Sequence, residues 1–417
     1  MEKLLISGGK KLRGSVRVSG AKNAALPIMA STILGHGTHK LRRVPNLRDV
    51  FTMGRLLEHL GAEFSLSDST ALINTGNIRG HEAPYDLVRT MRASVLVLGP
   101  LLARHGRARV SLPGGCAIGA RPINLHLLGL QKMGALISLD KGYVNARTRR
   151  LRGANICFDT PTVTGTENLM MAATLAKGLT RLENAAREPE VIDLANALIS
   201  AGARIEGAGE SIIEIEGVKE LNSLDYDIIP DRIEAGTFMA VAGITGGEIV
   251  MEGVNTEHIA AVAAKLQETG IKFQESEKGL VVKGPQHLRA SDVKTMPYPG
   301  FPTDMQAQFM ALMSVAEGTS VISETIFENR FMHVAELRRM GADINIEGSI
   351  ATVKGVKSLK GAPVMATDLR ASASLVVAAL AARGETLIDR IYHLDRGYES
   401  IESKLRFLGA RIERQKG

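Results

Sequence analysis

Apolar and polar positions along the chain alternate between two periods, and the alternation repeats. Stretches rich in Ala, Leu, Met and Val on every side, such as 168–176, 238–244 and 374–382, predict helices buried all round. Others, such as 188–200 and 399–408, have one apolar stripe and predict helices lying outside. In between come short runs of period two, read as strands. One stretch shows the order: 303–316 predicts a buried helix, 320–323 a strand, 332–340 an amphipathic helix, and 342–346 with 350–353 a strand pair.

This unit of strand, helix, strand, helix, strand, strand recurs six times. A glycine closes the second helix of each copy, at Gly61, Gly134, Gly202, Gly270, Gly341 and Gly409, with 68 to 73 residues between successive members. A second series runs in step: Gly37, Gly106, Gly178, Gly247, Gly318 and Gly384. Three units can enclose three buried helices within three sheets, so six predict two α/β domains. The segment 225–230 is the natural crossover between them.

Composition narrows the classes. At 417 residues, 45% hydrophobic and 23% charged, the chain can bury full cores. No apolar run approaches a membrane span and the N-terminus lacks a signal pattern. Two cysteines, Cys116 and Cys157, and ten scattered histidines offer no disulfide framework or metal spacing. The expectation is a cytoplasmic protein without metal or other cofactor. A net charge of +7 favours anionic partners. Aromatics at 4% and no tryptophan argue against a single-stranded nucleic-acid platform. The basic run 147–152 reads as a solvated loop face.

Candidate chemistry starts at 113–122, Pro-Gly-Gly-Cys-Ala-Ile-Gly-Ala-Arg-Pro. Its glycines predict a mobile loop, and Arg121 close behind Cys116 would favour the thiolate. A structural cysteine in a glycine-rich turn is the alternative. The first turns of the buried helices carry Lys22 and Asn23, Arg92, Glu167 and Asn168, Asp231 with Arg232 and Glu234, Asp304, and Asp368 with Arg370. Asp304 and Asp368 could be ordinary helix caps. Cations at the positive end of a helix dipole are unfavourable, so Lys22, Arg92, Arg232 and Arg370 suggest an anionic ligand between them.

Long blocks in order then carry a resemblance: 19–27 (SGAKNAALP), 90–94 (TMRAS), the 113–122 loop, 183–190 (ENAAREPE), 302–308 (PTDMQAQ), 327–333 (FENRFMH), 367–371 (TDLRA) and 395–399 (DRGYE). The whole chain resembles the UDP-N-acetylglucosamine enolpyruvyl transferases. The resemblance implies two inside-out α/β domains of pseudo-three-fold symmetry. Residues 1–21 and 230–417 would form one, residues 22–229 the other, with the Cys116 loop closing over ligands in the cleft between them. It implies phosphoenolpyruvate and UDP-N-acetylglucosamine as substrates, no nucleic-acid or membrane partner, and a monomer or weak oligomer.

The resemblance also implies roles. Cys116 would be general acid and adduct-forming residue, and Asp304 the base near the sugar 3′-hydroxyl. Lys22, Arg121 and Arg396 would surround phosphoenolpyruvate. Asn23, Arg92, Arg121, Pro122, Ile123, Asn124, Leu125, Asp304 and Ile326 would contact the nucleotide sugar, as would Thr162, Val163, Thr164 and Gly165. Asp368, Arg370 and Glu188 would be polar residues of the closed cleft. Two positions depart from the family pattern. Asn124 stands where many members have Asp, and 160–165 lacks the lysine common there, leaving hydroxyls and backbone N–H groups to face the diphosphate. Three other readings compete: the shikimate-pathway enolpyruvyl transferase, an RNA-end-processing protein built on a related unit, and a non-catalytic sensor.

Overall fold

The computed structural model describes residues 2–112 and 123–416. They form six four-stranded sheets of one pattern. In the second sheet, Glu82–Ala83 runs parallel to Arg107–Ser111, which is antiparallel to Tyr143–Arg147, itself antiparallel to Leu136–Asp140. The apolar residues of these strands alternate with exposed ones and face the helices, as period two requires.

Among the described residues, one compact unit comprises 2–19 and 230–416, the other 20–112 and 123–229. The second encloses the helices Lys22–Ser31, Leu98–His105 and Val163–Ala173. The first encloses Arg232–Thr245, Gln306–Met313 and Leu369–Ala381. The middle of each is buried on all sides, as the apolar composition predicts. In Arg232–Thr245, Phe238, Met239 and Val241 have no exposed surface. Such side chains contribute about 1.5–3 kcal/mol each. The outer helices are amphipathic: Arg48–Leu60 turns Val50, Met53, Leu57 and Leu60 inward and leaves Arg48, Phe51, Arg55 and Glu58 exposed.

The six-fold repeat is present, but three copies trade strands. Residues 225–227, expected as crossover alone, form a strand parallel to Thr38–Arg42 and complete the first sheet. Arg13–Arg17 does the same for the fourth sheet, beside Glu248–Glu252. Lys3–Ser7 is the penultimate strand of the sixth, between Glu385–Asp389 and Arg411–Gln415. Linear periodicity is blind to such exchange, because each segment is an ordinary strand wherever it pairs. The glycine series 61, 134, 202, 270, 341 and 409 takes φ between 92° and 107°, the left-handed closure expected of it. In the other series Gly246, with φ 59°, takes this role in place of Gly247. No helix among the described residues is long and apolar enough to cross a membrane.

Candidate active site

In the unit of 20–229, Lys22, Arg92 and the Thr162–Gly165 stretch each stand at a helix start. Lys22 opens its helix and is 8% exposed, with Nζ 3.4 Å from a carboxylate oxygen of buried Asp49. Asn23 beside it is exposed. Arg92 begins the short helix Arg92–Val97 and is half-buried. Near it, His126 lies under the N-terminus of Val163–Ala173. Its Nε2 meets Thr164 Oγ1 at 3.3 Å and its Nδ1 meets Asn168 Nδ2 at 2.9 Å. Burial, then the charge of Arg92, lowers the pKa of His126 to about 4, so the ring is neutral and Nδ1 can accept from the amide.

Asn168 also accepts from Gly99 N at 2.7 Å. A Cβ on Gly99 would lie 2.4 Å from both the backbone and the side-chain oxygen of Asn168, so only glycine permits this approach. Thr162 caps the helix, accepting from Gly165 N at 3.3 Å. Thr162, Val163 and Thr164 are half-buried and Gly165 is buried. Ile123 is buried, Asn124 exposed and Leu125 half-buried at the start of the helix Asn124–Lys132. Glu167 is buried, and burial with the charges of Glu190 and Glu188 raises its pKa well above 4.5.

In the other unit, Asp304 sits in the tight turn Thr303–Met305 that enters Gln306–Met313. It is not a cap. Its Oδ1 accepts from Arg330 Nη2 at 2.9 Å and its Oδ2 from Arg370 Nε at 3.0 Å, and both guanidiniums are almost fully buried. Asp368 does cap its helix, accepting from the backbone of Arg370 and Ala371 at 2.8 and 3.0 Å. The cation Arg370, unfavourable beside a helix dipole, is thus balanced by Asp304. Its Nη1 is buried without a hydrogen-bond partner among the described residues. Arg396 ends the turn Ile391–Arg396, which packs on Leu369–Ala381.

Ile326 is half-buried on a loop held by buried Glu324, which accepts from Ile326 N (2.9 Å), Phe327 N (3.2 Å), Thr295 (3.0 Å) and Thr303 (2.9 Å). The bond to Thr303 ties this loop to the Asp304 turn. Behind Arg330, His333 is fully buried, and its pKa is lowered to about 4. Burial is the main cause; Asp368 opposes it and Arg330 adds to it.

The structure therefore gathers Lys22 with Asp49, and Arg92 with the Thr164 turn, in one unit. In the other it gathers Asp304 with Arg370, and sets Asp368 at the same helix start. Cys116, Arg121 and Pro122 lie outside the described residues. Arg232 places its guanidinium 5.7 Å from the Tyr298 ring centroid. The apolar neighbours Ile156 and Phe158 predict a buried, shielded Cys157, and the structure corrects this: Cys157 ends the strand Asn155–Cys157, where period two buries Ile156 and leaves the thiol exposed. Sequence reasoning passed over Asp49, His126, Glu324, Arg330 and His333. Arg330 and His333 lie inside a quoted block, 327–333, yet only the fold puts Arg330 on Asp304. Among the described residues, no group of three His, Cys, Asp or Glu side chains could hold a metal ion.

Solved structures similar to this chain include an enolpyruvyl transferase and an EPSP synthase. The enolpyruvyl transferase NikO of Streptomyces tendae matches with a TM-score of 0.88 and 26% identity, over 100% of this chain and 99% of that one. EPSP synthase of Acinetobacter baumannii has the same fold, with a TM-score of 0.77 and 20% identity over 100% of both chains. The family model for EPSP synthase (3-phosphoshikimate 1-carboxyvinyltransferase) matches residues 6–405, and the chain belongs to that family. Its relatives include the UDP-N-acetylglucosamine 1-carboxyvinyltransferases of Thermodesulfovibrio yellowstonii, 67% identical over 417 residues, and Geobacter metallireducens, 64% identical over 416, each over 100% of both chains.

Proposed function

We propose that this enzyme transfers the enolpyruvyl group of phosphoenolpyruvate to the 3′-hydroxyl of UDP-N-acetylglucosamine and releases phosphate. Full-length identity of 67% to a carboxyvinyltransferase named for that sugar nucleotide carries the reading. The reaction commits the sugar to cell-wall peptidoglycan, and we place it in the cytoplasm.

The chemistry divides among the residues named for it in the sequence and those the fold adds. A proton from Cys116 adds to C3 of phosphoenolpyruvate and leaves C2 electron-poor. The sugar oxygen attacks C2 as its proton passes to Asp304. C3 then loses a proton, the C2–O bond to phosphate breaks, and the double bond re-forms. Lys22, Arg121 and Arg396 hold the phosphate and carboxylate, so charge that moves onto the leaving group meets fixed cations. Lys22 arrives with Asp49 at its side, which sets its position. Arg330 and Arg370 hold both oxygens of Asp304, so the carboxylate is oriented before substrate arrives. The unused Nη1 of Arg370 supplies a further donor for an anionic substrate.

Arg92, the Thr162–Gly165 turn and the start of Asn124–Lys132 take the nucleotide. Helix N-termini offer backbone N–H groups to a diphosphate, and the hydroxyls of Thr162 and Thr164 stand where a lysine is absent. The test is phosphate release from phosphoenolpyruvate with UDP-N-acetylglucosamine, set beside 3-phosphoshikimate. Turnover with the sugar nucleotide alone supports the reading. Turnover with 3-phosphoshikimate alone transfers the enzyme to the shikimate reaction.

A further inference from the structure

The end of the 20–229 unit away from these first turns carries a patch that the reaction does not use. Backbone hydrogen bonds join Thr148 to Gly106, Arg152 to Met133 and Lys177 to Leu151, close to the C-terminal ends of the helices Leu98–His105, Asn124–Lys132 and Val163–Ala173. Six cations meet there. Strand register sets Arg107 beside Arg147, a backbone bridge sets Arg152 beside Lys177, and Arg149 and Arg150 occupy the loop between. All six side chains are exposed, and none takes part in an ion pair among the described residues.

Carboxylates are scarce nearby. Asp140 stands at the far end of its strand, about 13 Å from Leu136 by strand rise. Glu216 is paired with Arg204 at 2.9 Å. Arg104, in the last turn of Leu98–His105, points elsewhere, donating to the carbonyls of Ile33 and Gly35 at 2.6 and 3.1 Å. Two leucines flank the cations: Leu136, opposite Arg147, is 64% exposed, and Leu179, two residues after Lys177, is 55% exposed.

We infer that this face docks on an anionic lipid surface. Arginines without partners match lipid phosphates, and exposed leucines at the rim have a use among acyl chains that they lack on a nucleic-acid backbone. No aromatic side chain stands among the six to stack on bases. The inference departs from the expectations of a merely solvated loop and of no membrane partner. The first came from the run 147–152 alone, before the fold joined Arg107, Lys177 and the leucines to it, and the second from the family resemblance.

The test is flotation of the full chain with vesicles of mixed phosphatidylglycerol and phosphatidylcholine, against phosphatidylcholine alone. Binding to the anionic vesicles only, falling as salt rises, is expected. Each basic residue near such a surface is worth about five-fold in partitioning, so Arg147→Gln/Arg149→Gln/Arg150→Gln/Arg152→Gln should lose about 100-fold or more. Lys177→Gln alone should lose about five-fold. Leu136→Ser/Leu179→Ser should weaken binding and leave its salt dependence unchanged. Phosphate release should survive in every variant, which reports an intact fold. No binding of the wild-type chain, or undiminished binding of the quadruple variant, overturns the inference. Retention on duplex DNA with no vesicle binding overturns it in favour of nucleic acid.

Discussion

Gly397 is where a small change should reach the proposed reacting groups through packing alone. It follows Arg396, and its φ of −145° is open to alanine, so backbone strain is not the issue. Space is. A Cβ there would lie 2.5 and 2.7 Å from the two terminal carbons of Leu369, the first residue of the helix that bears Arg370. Leu369 is only partly buried and can give way in part, so Gly397→Ala should cost the ordinary price of overpacking, about 1–3 kcal/mol. The larger effect should be on rate. If the turn backs away by about 1 Å, Arg396 moves off the phosphate position proposed for it, and displacement of that order can cost about 100-fold.

The assays are urea denaturation and kcat/KM for phosphoenolpyruvate, each repeated in a Leu369→Ala background. Removing the leucine tip clears the position of the new methyl. Gly397→Ala should then cost under about 0.5 kcal/mol, because the two changes share one contact. An equal cost in both backgrounds would show that this contact is not the source. Wild-type stability and turnover in the single variant would refute the packing argument outright.

Arg396→Ala should lose about 2–4 kcal/mol of transition-state stabilisation, read as kcat/KM for phosphoenolpyruvate; a loss of only a few-fold removes Arg396 from the phosphate site. Glu167 binds its proton more tightly folded than unfolded, so its cost to stability should grow by about 1.4 kcal/mol per pH unit above 4.5, up to its folded pKa. Glu167→Gln should therefore gain on wild type as pH rises in denaturation series at about pH 5.5 and 7.5, and parallel series would mean no shift. A phosphonate epoxide resembling phosphoenolpyruvate, such as fosfomycin, should alkylate Cys116 and spare Cys157, while neutral iodoacetamide labels both, because Cys157 is exposed and only the charged site discriminates. Cys116→Asp should stay active and resist the epoxide, whereas Cys116→Ser should be nearly inactive. Epoxide label on Cys157, or a fully active Ser variant, removes Cys116 from the mechanism.

The buried helices, the paired strands and the closing glycines were legible because each is a local pattern set by a local force. A helix apolar on every side can only lie inside, and a glycine after a helix end takes φ near 100° because other residues pay for it. Strand exchange was not legible, since Lys3–Ser7 pairs with residues 378 to 412 positions away and its own alternation is silent about the partner. Site residues divided in the same way. Lys22, Asp304 and Arg370 showed as charges at helix starts, where charge needs a reason. Arg330 and Glu324 show none until the chain folds, because they hold Asp304 and its turn across 26 and 21 positions. Cys157 misled because an apolar neighbourhood in sequence is not burial: in a strand the neighbours face the other way.

Phosphate release alone does not distinguish transfer of the enolpyruvyl group from hydrolysis of phosphoenolpyruvate, so the bond formed must be observed. The chain should be incubated with UDP-N-acetylglucosamine and phosphoenolpyruvate labelled with carbon-13 at C2, and the product examined by long-range proton–carbon correlation. A correlation from the labelled vinyl-ether carbon to the proton on C3 of the sugar, at one equivalent per phosphate released, is expected. Label appearing as free pyruvate, or correlated to any other sugar position, would contradict the proposed reaction.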